Sequence, residues 1–132
     1  MAAGVFTHSV TKGYKSDEGT ITSVVTAFTG DAESGIEATI GVGVTNQHFV
    51  YALTLSQVVI MVMYSSTSMT VKTNSSTTPQ ETINLAAGAQ LVYESSNTTG
   101  APMFFAGNIT GFYVTNNDPK AGNFKFRALL NA

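Results

Sequence analysis

The chain has no cysteine, no tryptophan and three prolines, and it carries only six Lys and Arg against eight Asp and Glu in 132 residues. Each shortage excludes something. Without cysteine there is neither a disulfide framework nor a thiolate metal site. The six cations, Lys12, Lys15, Lys72, Lys120, Lys125 and Arg127, are scattered, and the formal net charge is −2. A surface that grips phosphate backbones needs clustered Lys and Arg, so nucleic acid is not an expected partner. The longest run of β-branched and other apolar residues, 58–64, is far short of the ~20 residues that cross a bilayer as a helix, and no membrane partner is expected. Met1-Ala2-Ala3-Gly4-Val5-Phe6 lacks the basic start and continuous apolar core of a signal peptide, so the expectation is a chain made in the cytoplasm without one.

The scarcity of charge shapes the surface. Charged residues make up 11% of the chain, less than half the usual ~25%, and none falls between Ala38 and Val71. Polar surface therefore comes from Ser, Thr, Asn and Gln. Such a surface desolvates cheaply, so either other subunits cover part of it or it is simply the Thr-rich outside of a β-protein. Glycosylation patterns begin at Asn74, Asn97 and Asn108, and chance matches are expected in a chain so rich in Asn, Ser and Thr.

What is present is β-structure. Val58-Val59-Ile60-Met61-Val62-Met63-Tyr64 is short and β-branched, which predicts a strand covered on both faces and hence two packed sheets. Further strands are predicted over 20–28, 36–40, 49–53, 69–73, 81–85, 90–94, 109–115 and 123–129, each bounded by Gly, Pro, Asn or Ser. The strand at 69–73 is expected to pair antiparallel with 58–64 across Ser65–Ser68. In the last strand Phe124 and Phe126 alternate with Lys125 and Arg127, which puts the rings and the cations on opposite faces. The fold class is all-β: a single-domain β-sandwich, a jelly roll of about eight antiparallel strands. Residues 1–19 show no sustained period and read as an irregular N-terminal arm, with the sandwich over 20–132.

No catalytic chemistry emerges. His8 and His48 stand apart with no metal-ligand spacing, and they read as surface residues. There is no Gly-x-Ser-x-Gly elbow and no phosphate loop, and Gly41-Val42-Gly43 lacks the rest of a dinucleotide fingerprint. Asp31, Glu33 and Glu37 could offer oxygens to Ca²⁺ but read as a solvated loop and strand face. Met61, Met63 and Met69 read as core gap-fillers. Met103-Phe104-Phe105 follows a Pro-containing loop without alternating, as either a core plug or a contact covered by another subunit. Neither enzyme activity nor a cofactor is expected.

The order of segments from Val58 to Leu130 resembles that of small β-sandwich virion structural proteins of tailed bacteriophages, of the capsid cement or decoration type. The stretches that carry the likeness are 58–64, Met69-Thr70-Val71-Lys72-Thr73-Asn74, 81–88, Leu91-Val92-Tyr93, 109–116 and Phe124-Lys125-Phe126-Arg127-Ala128-Leu129-Leu130. The resemblance implies a non-enzymatic subunit on the outer surface of a virion capsid. Its partners would be the major capsid protein and itself, as a homodimer or homotrimer, with a terminal arm on the coat. The Pro-rich N-terminal segment of short trimeric decoration proteins is missing here. Phe6 and Tyr14 of the arm, with Phe104 and Phe105, are the expected contacts. Two alternatives remain: a carbohydrate- or receptor-binding module of a fibre or tail, using exposed rings such as Tyr51 or Tyr113, and a self-assembling coat or appendage subunit.

Overall fold

Period-two burial runs through most of the chain, and it decides the architecture. The computed structural model describes residues 5–16, 19–95 and 103–131. Their strands are β1 (Phe6–Ser16), β2 (Gly19–Gly30), β3 (Ala32–Ile40), β4 (Gln47–Leu53), β5 (Val58–Ser65), β6 (Met69–Thr73), β7 (Thr82–Leu85), β8 (Gln90–Glu94), β9 (Ile109–Asn116) and β10 (Gly122–Leu130). The only helical piece among them is one 3₁₀ turn at Leu55–Gln57, and no helix is long and apolar enough to cross a membrane.

Eight strands form two four-stranded antiparallel sheets, ordered β3-β10-β5-β8 and β4-β9-β6-β7. The pairing is nested: β6 pairs with β7, β5 with β8, β4 with β9 and β3 with β10. The chain thus doubles back once, near residues 74–81, and each later strand returns beside its earlier counterpart. Two further ladders, β10 with β5 and β9 with β6, close the doubled ribbon into two layers. The result is an all-β sandwich.

The expected hairpin between 58–64 and 69–73 does not form, because β5 and β6 lie in opposite sheets. Burial alternates without a break from Met61 to Thr73, straight through Ser66-Thr67-Ser68. Inward residues stay inward around the corner, so the chain bends from one layer into the other. Buried Asn116 fastens that corner. Its Oδ1 accepts from Thr67 Oγ1 at 3.0 Å and from the Asp118 N–H at 3.1 Å. Its Nδ2 faces the carbonyls of Lys120 at 2.8 Å, Ile40 at 3.1 Å and Gly41 at 3.2 Å. One amide therefore ties the ends of β3, β5 and β9 to the turn before β10. Gly122 packs against Thr67 and the Met69 methyl, leaving no room for a Cβ.

Between the sheets, Phe112, Phe124 and Phe126 are fully excluded from water, with Met61, Met63, Met69, Val71 and Val114 around them. The three methionines are core residues, as their sequence context indicates. Tyr51 joins the cluster, its ring 5.6 Å from Phe112 and edge-on to Phe126 at 5.4 Å between centroids. Its hydroxyl meets Ser34 Oγ at 2.5 Å, linking β4 to β3 across the sandwich edge. Burial raises the Tyr51 phenol above its ordinary value, while the Ser34 hydrogen bond and the Arg127 charge pull it down.

The irregular arm expected over 1–19 is a correction. Residues 6–16 form β1, a regular strand paired antiparallel with β2 in a separate two-stranded sheet, with one register shift between Lys12 and Tyr14. The pattern was hidden because the inward positions His8 and Val10 include a polar residue, while Phe6 beside them is exposed. Its order comes from its partner strand.

Two measurements test this account. Asn116→Ala leaves several buried groups unpaired and should cost roughly 2–3 kcal/mol, read as a lower urea midpoint at unchanged slope. Asn117→Ala, which removes an exposed bond to Thr70, should stay within about 0.5 kcal/mol. For Tyr51 the folded state favours the neutral phenol, so its contribution is complete below the unfolded value near 10 and is lost as pH rises through the higher folded value. Wild type should therefore lose more stability above about pH 10 than Tyr51→Phe does, in melts compared across pH. Parallel alkaline losses would exclude that origin.

Candidate interaction surface

β10 is inward at Phe124, Phe126 and Ala128, which leaves Lys125 and Arg127 on the outer face of the β3-β10-β5-β8 sheet. Across the ladders this outer face is made of rows. Glu33, Leu129, Ile60 and Glu94 stand in register, then Gly35, Arg127, Val62 and Val92, then Glu37, Lys125, Tyr64 and Gln90. The first row lies beneath the β1–β2 hairpin. Phe28, Ile60 and Leu129 form a buried cluster distinct from the main core, with Val10 and Val59 packed on it. This explains why residues 58–64 read as an unbroken apolar run: Met61 and Met63 face the core while Ile60 faces the hairpin.

His8 Nε2 lies 2.8 Å from Glu33 Oε2, a link from β1 to β3. Beside it Glu37 receives two cations, Arg127 Nη2 at 2.9 Å and Lys125 Nζ at 3.6 Å. These side chains are about half exposed, so each pair is worth about 1 kcal/mol or less. Gly35 permits the arrangement, because the Arg127 side chain lies over it, its Cδ 2.9 Å from where a Cβ would stand. Between hairpin and sheet runs a groove. One part, of about 280 Å³, is bordered by His8–Thr11, Val62, Val92 and Arg127. A second part continues past Arg127 to Glu33 and Gly35.

The expected contact residues are not brought together. Phe6 lies on β1 at 36% exposure. Tyr14 pairs in the backbone with Ile21, and its side chain lies outside the described residues. Phe104 is half-buried, and Phe105 is a correction: at 3% exposure it plugs the core, 5.9 Å from Phe112 and 6.2 Å from Phe126 between centroids. A ring so enclosed is unavailable to a partner. The groove residues went unnoticed in the sequence. His8 and Glu33 read singly as surface groups, and only the register of β3 against β10 and the docking of the hairpin join them.

On the opposite outer face, His48 stacks on Tyr113 at 4.2 Å and 3°, a cross-strand pair beside Val50, which is 86% exposed. Tyr51 points into the core. At the turn end, Asn74 Nδ2 donates to the Asn108 carbonyl at 3.0 Å, and Asn108 Oδ1 accepts from the Leu55 N–H at 3.0 Å. Both amides of these two glycosylation patterns thus have internal uses, and Asn97 lies outside the described residues. Among the described residues no three His, Asp or Glu side chains gather to hold a metal ion. Comparisons with protein-family models, with characterised proteins and with solved structures return no match to this chain.

An isolated two-stranded hairpin is marginal in water, so this one depends on its docking. Phe28→Ala, and to a smaller degree His8→Ala, should speed tryptic cleavage at Lys12 and Lys15 several-fold, followed by mass spectrometry. The melting of the sandwich should change much less. Unaltered cleavage in Phe28→Ala would show that the cluster does not hold the hairpin.

Proposed function

We propose that this chain is a non-enzymatic virion structural protein, a cement or decoration subunit that binds and stabilises a major capsid protein lattice and associates with itself. The observation that carries this reading is the β1–β2 hairpin. It stands outside both sheets, hydrogen-bonds in strand ladders only to itself among the described residues, and displays apolar side chains to solvent at Val5, Phe6 and Val25. A rigid sandwich with such an appendage can reach a neighbouring subunit while its own core stays closed. Repeated at many identical lattice positions, modest contacts add up through multivalency.

The strand order supports the finer fold reading, a jelly roll. Nested pairs wrapped into two four-stranded layers are the arrangement of a rolled-up hairpin, an architecture used by capsid and lectin domains alike. The low charge supports coverage by other subunits, since neutral polar surface is desolvated at smaller cost than charged surface. The glycan-binding alternative has less behind it. Tyr51 is committed to the core and His48 already covers one face of Tyr113.

Size-exclusion chromatography with light scattering on the purified chain tests the proposal. A discrete dimer or trimer is expected, with tryptic cuts confined to the hairpin. Open-ended polymers would make it a self-assembling coat or appendage subunit, and a monomer resistant to cleavage would favour a binding module.

A further inference from the structure

We infer that the groove beside β1 takes an extended segment of another protein, added as a third strand to the β1–β2 hairpin. His8, Ser9, Val10 and Thr11 are consecutive, and all four border the groove. The β2 residues paired with them, Val25 to Phe28, do not border it, so the groove runs along the edge of β1 that faces away from β2. Among the described residues the only ladder partner of β1 is β2. Its other edge therefore offers backbone N–H and C=O groups toward the groove, the arrangement on which strand addition depends.

The floor defines the guest. Gly35, Arg127, Val62 and Val92 form one register row across all four strands of the sheet. Four strands at ~4.8 Å spacing give about 14 Å between the outer two, the reach of four to five extended residues at ~3.3 Å each. A strand in the layer of the hairpin would point alternate side chains down onto this row. Val62 and Val92 are half-buried and call for apolar residues above them. Arg127 is half-exposed and borders both parts of the groove, while Lys125 shares Glu37 with it and Glu33 is engaged by His8, so Arg127 is the cation that a guest carboxylate would meet. The guest is thus an extended peptide segment with apolar residues at alternate positions and a carboxylate over Arg127. This goes beyond the virion reading and does not depend on it, because any protein partner with such a segment satisfies the groove.

The test uses the full ¹⁵N-labelled chain and two acetylated, amidated peptides, Val-Thr-Val-Thr-Glu and its reverse Glu-Thr-Val-Thr-Val, since either strand direction can add to an edge. One of them should shift the amide signals of Ser9, Thr11, Val62 and Val92 saturably. The same peptide N-methylated at every residue should fail, and Val62→Lys should weaken binding at least about tenfold, with Val92→Lys as the second variant should the first misfold. Equal binding by the N-methylated peptide would overturn strand addition. Shifts confined to other residues, or no saturable shift from either peptide at millimolar concentration, would overturn the site. Concentration-dependent shifts of these same amides in the chain alone would make the occupant a second copy, overturning the separate partner.

Discussion

The two faces of β10 govern this molecule. Inward, Phe124, Phe126 and Ala128 meet Phe112 and Met63 at the centre of the sandwich, and outward Arg127 and Leu129 meet the groove and the hairpin. One strand is therefore the hinge between the stable part of the protein and its interactive part. It is paired on both edges, with β3 and β5, so every outward residue is held in a fixed row with its neighbours. That lateral order gives the groove a continuous floor. A shift of one residue along β10 would turn its phenylalanines to water and its cations into the core, which fixes the register energetically.

How much of this is legible in the sequence follows from which signals are local. Alternation within one strand is local, and so the opposite faces of Phe124 and Lys125 can be read directly, as can the core role of the methionines and the all-β class. The layer to which a strand belongs is not local. Ser65-Ser66-Thr67-Ser68 has hairpin length and composition, yet the chain crosses there between sheets, because Thr67 is held by Asn116 from β9, distant in sequence. The same limit hid β1. Its inward positions His8 and Val10 are one polar and one apolar, and only the apposition of β2 and the sheet beneath turns them into one face. Phe105 shows the opposite case: a non-alternating aromatic pair after a loop leaves both plug and contact open until the Phe112–Phe126 cluster is seen to close around it.

The shortage of charge now has a location. Glu33, Glu37, Lys125 and Arg127 stand together on one outer sheet face, joined there by His8. The other outer face displays Thr70, Tyr113, Thr115 and Val50, with Lys72 directed to the Ser76 carbonyl. The two faces therefore differ in the partners they could accept. The first presents paired charges in defined rows, whereas the second presents hydroxyl groups, the His48–Tyr113 stack and the exposed Val50.

The two clusters of buried apolar residues also differ in scale, and that difference has consequences for motion. The main core joins both sheets through a large set of rings and aliphatic chains, and losing any one large member costs several kcal/mol. Among the described residues the hairpin rests on a smaller cluster, Phe28 and Val10 on Ile60, Leu129 and Val59, with a hydrogen bond between His8 and Glu33. Its docking therefore involves fewer buried side chains than the closure of the sandwich. A segment that fills the groove lengthens the hairpin sheet and covers Val62 and Val92 at once, so it stabilises the docked state in proportion to its own binding. The same coupling means that a partner selects a hairpin already lying on its sheet and leaves the core unchanged.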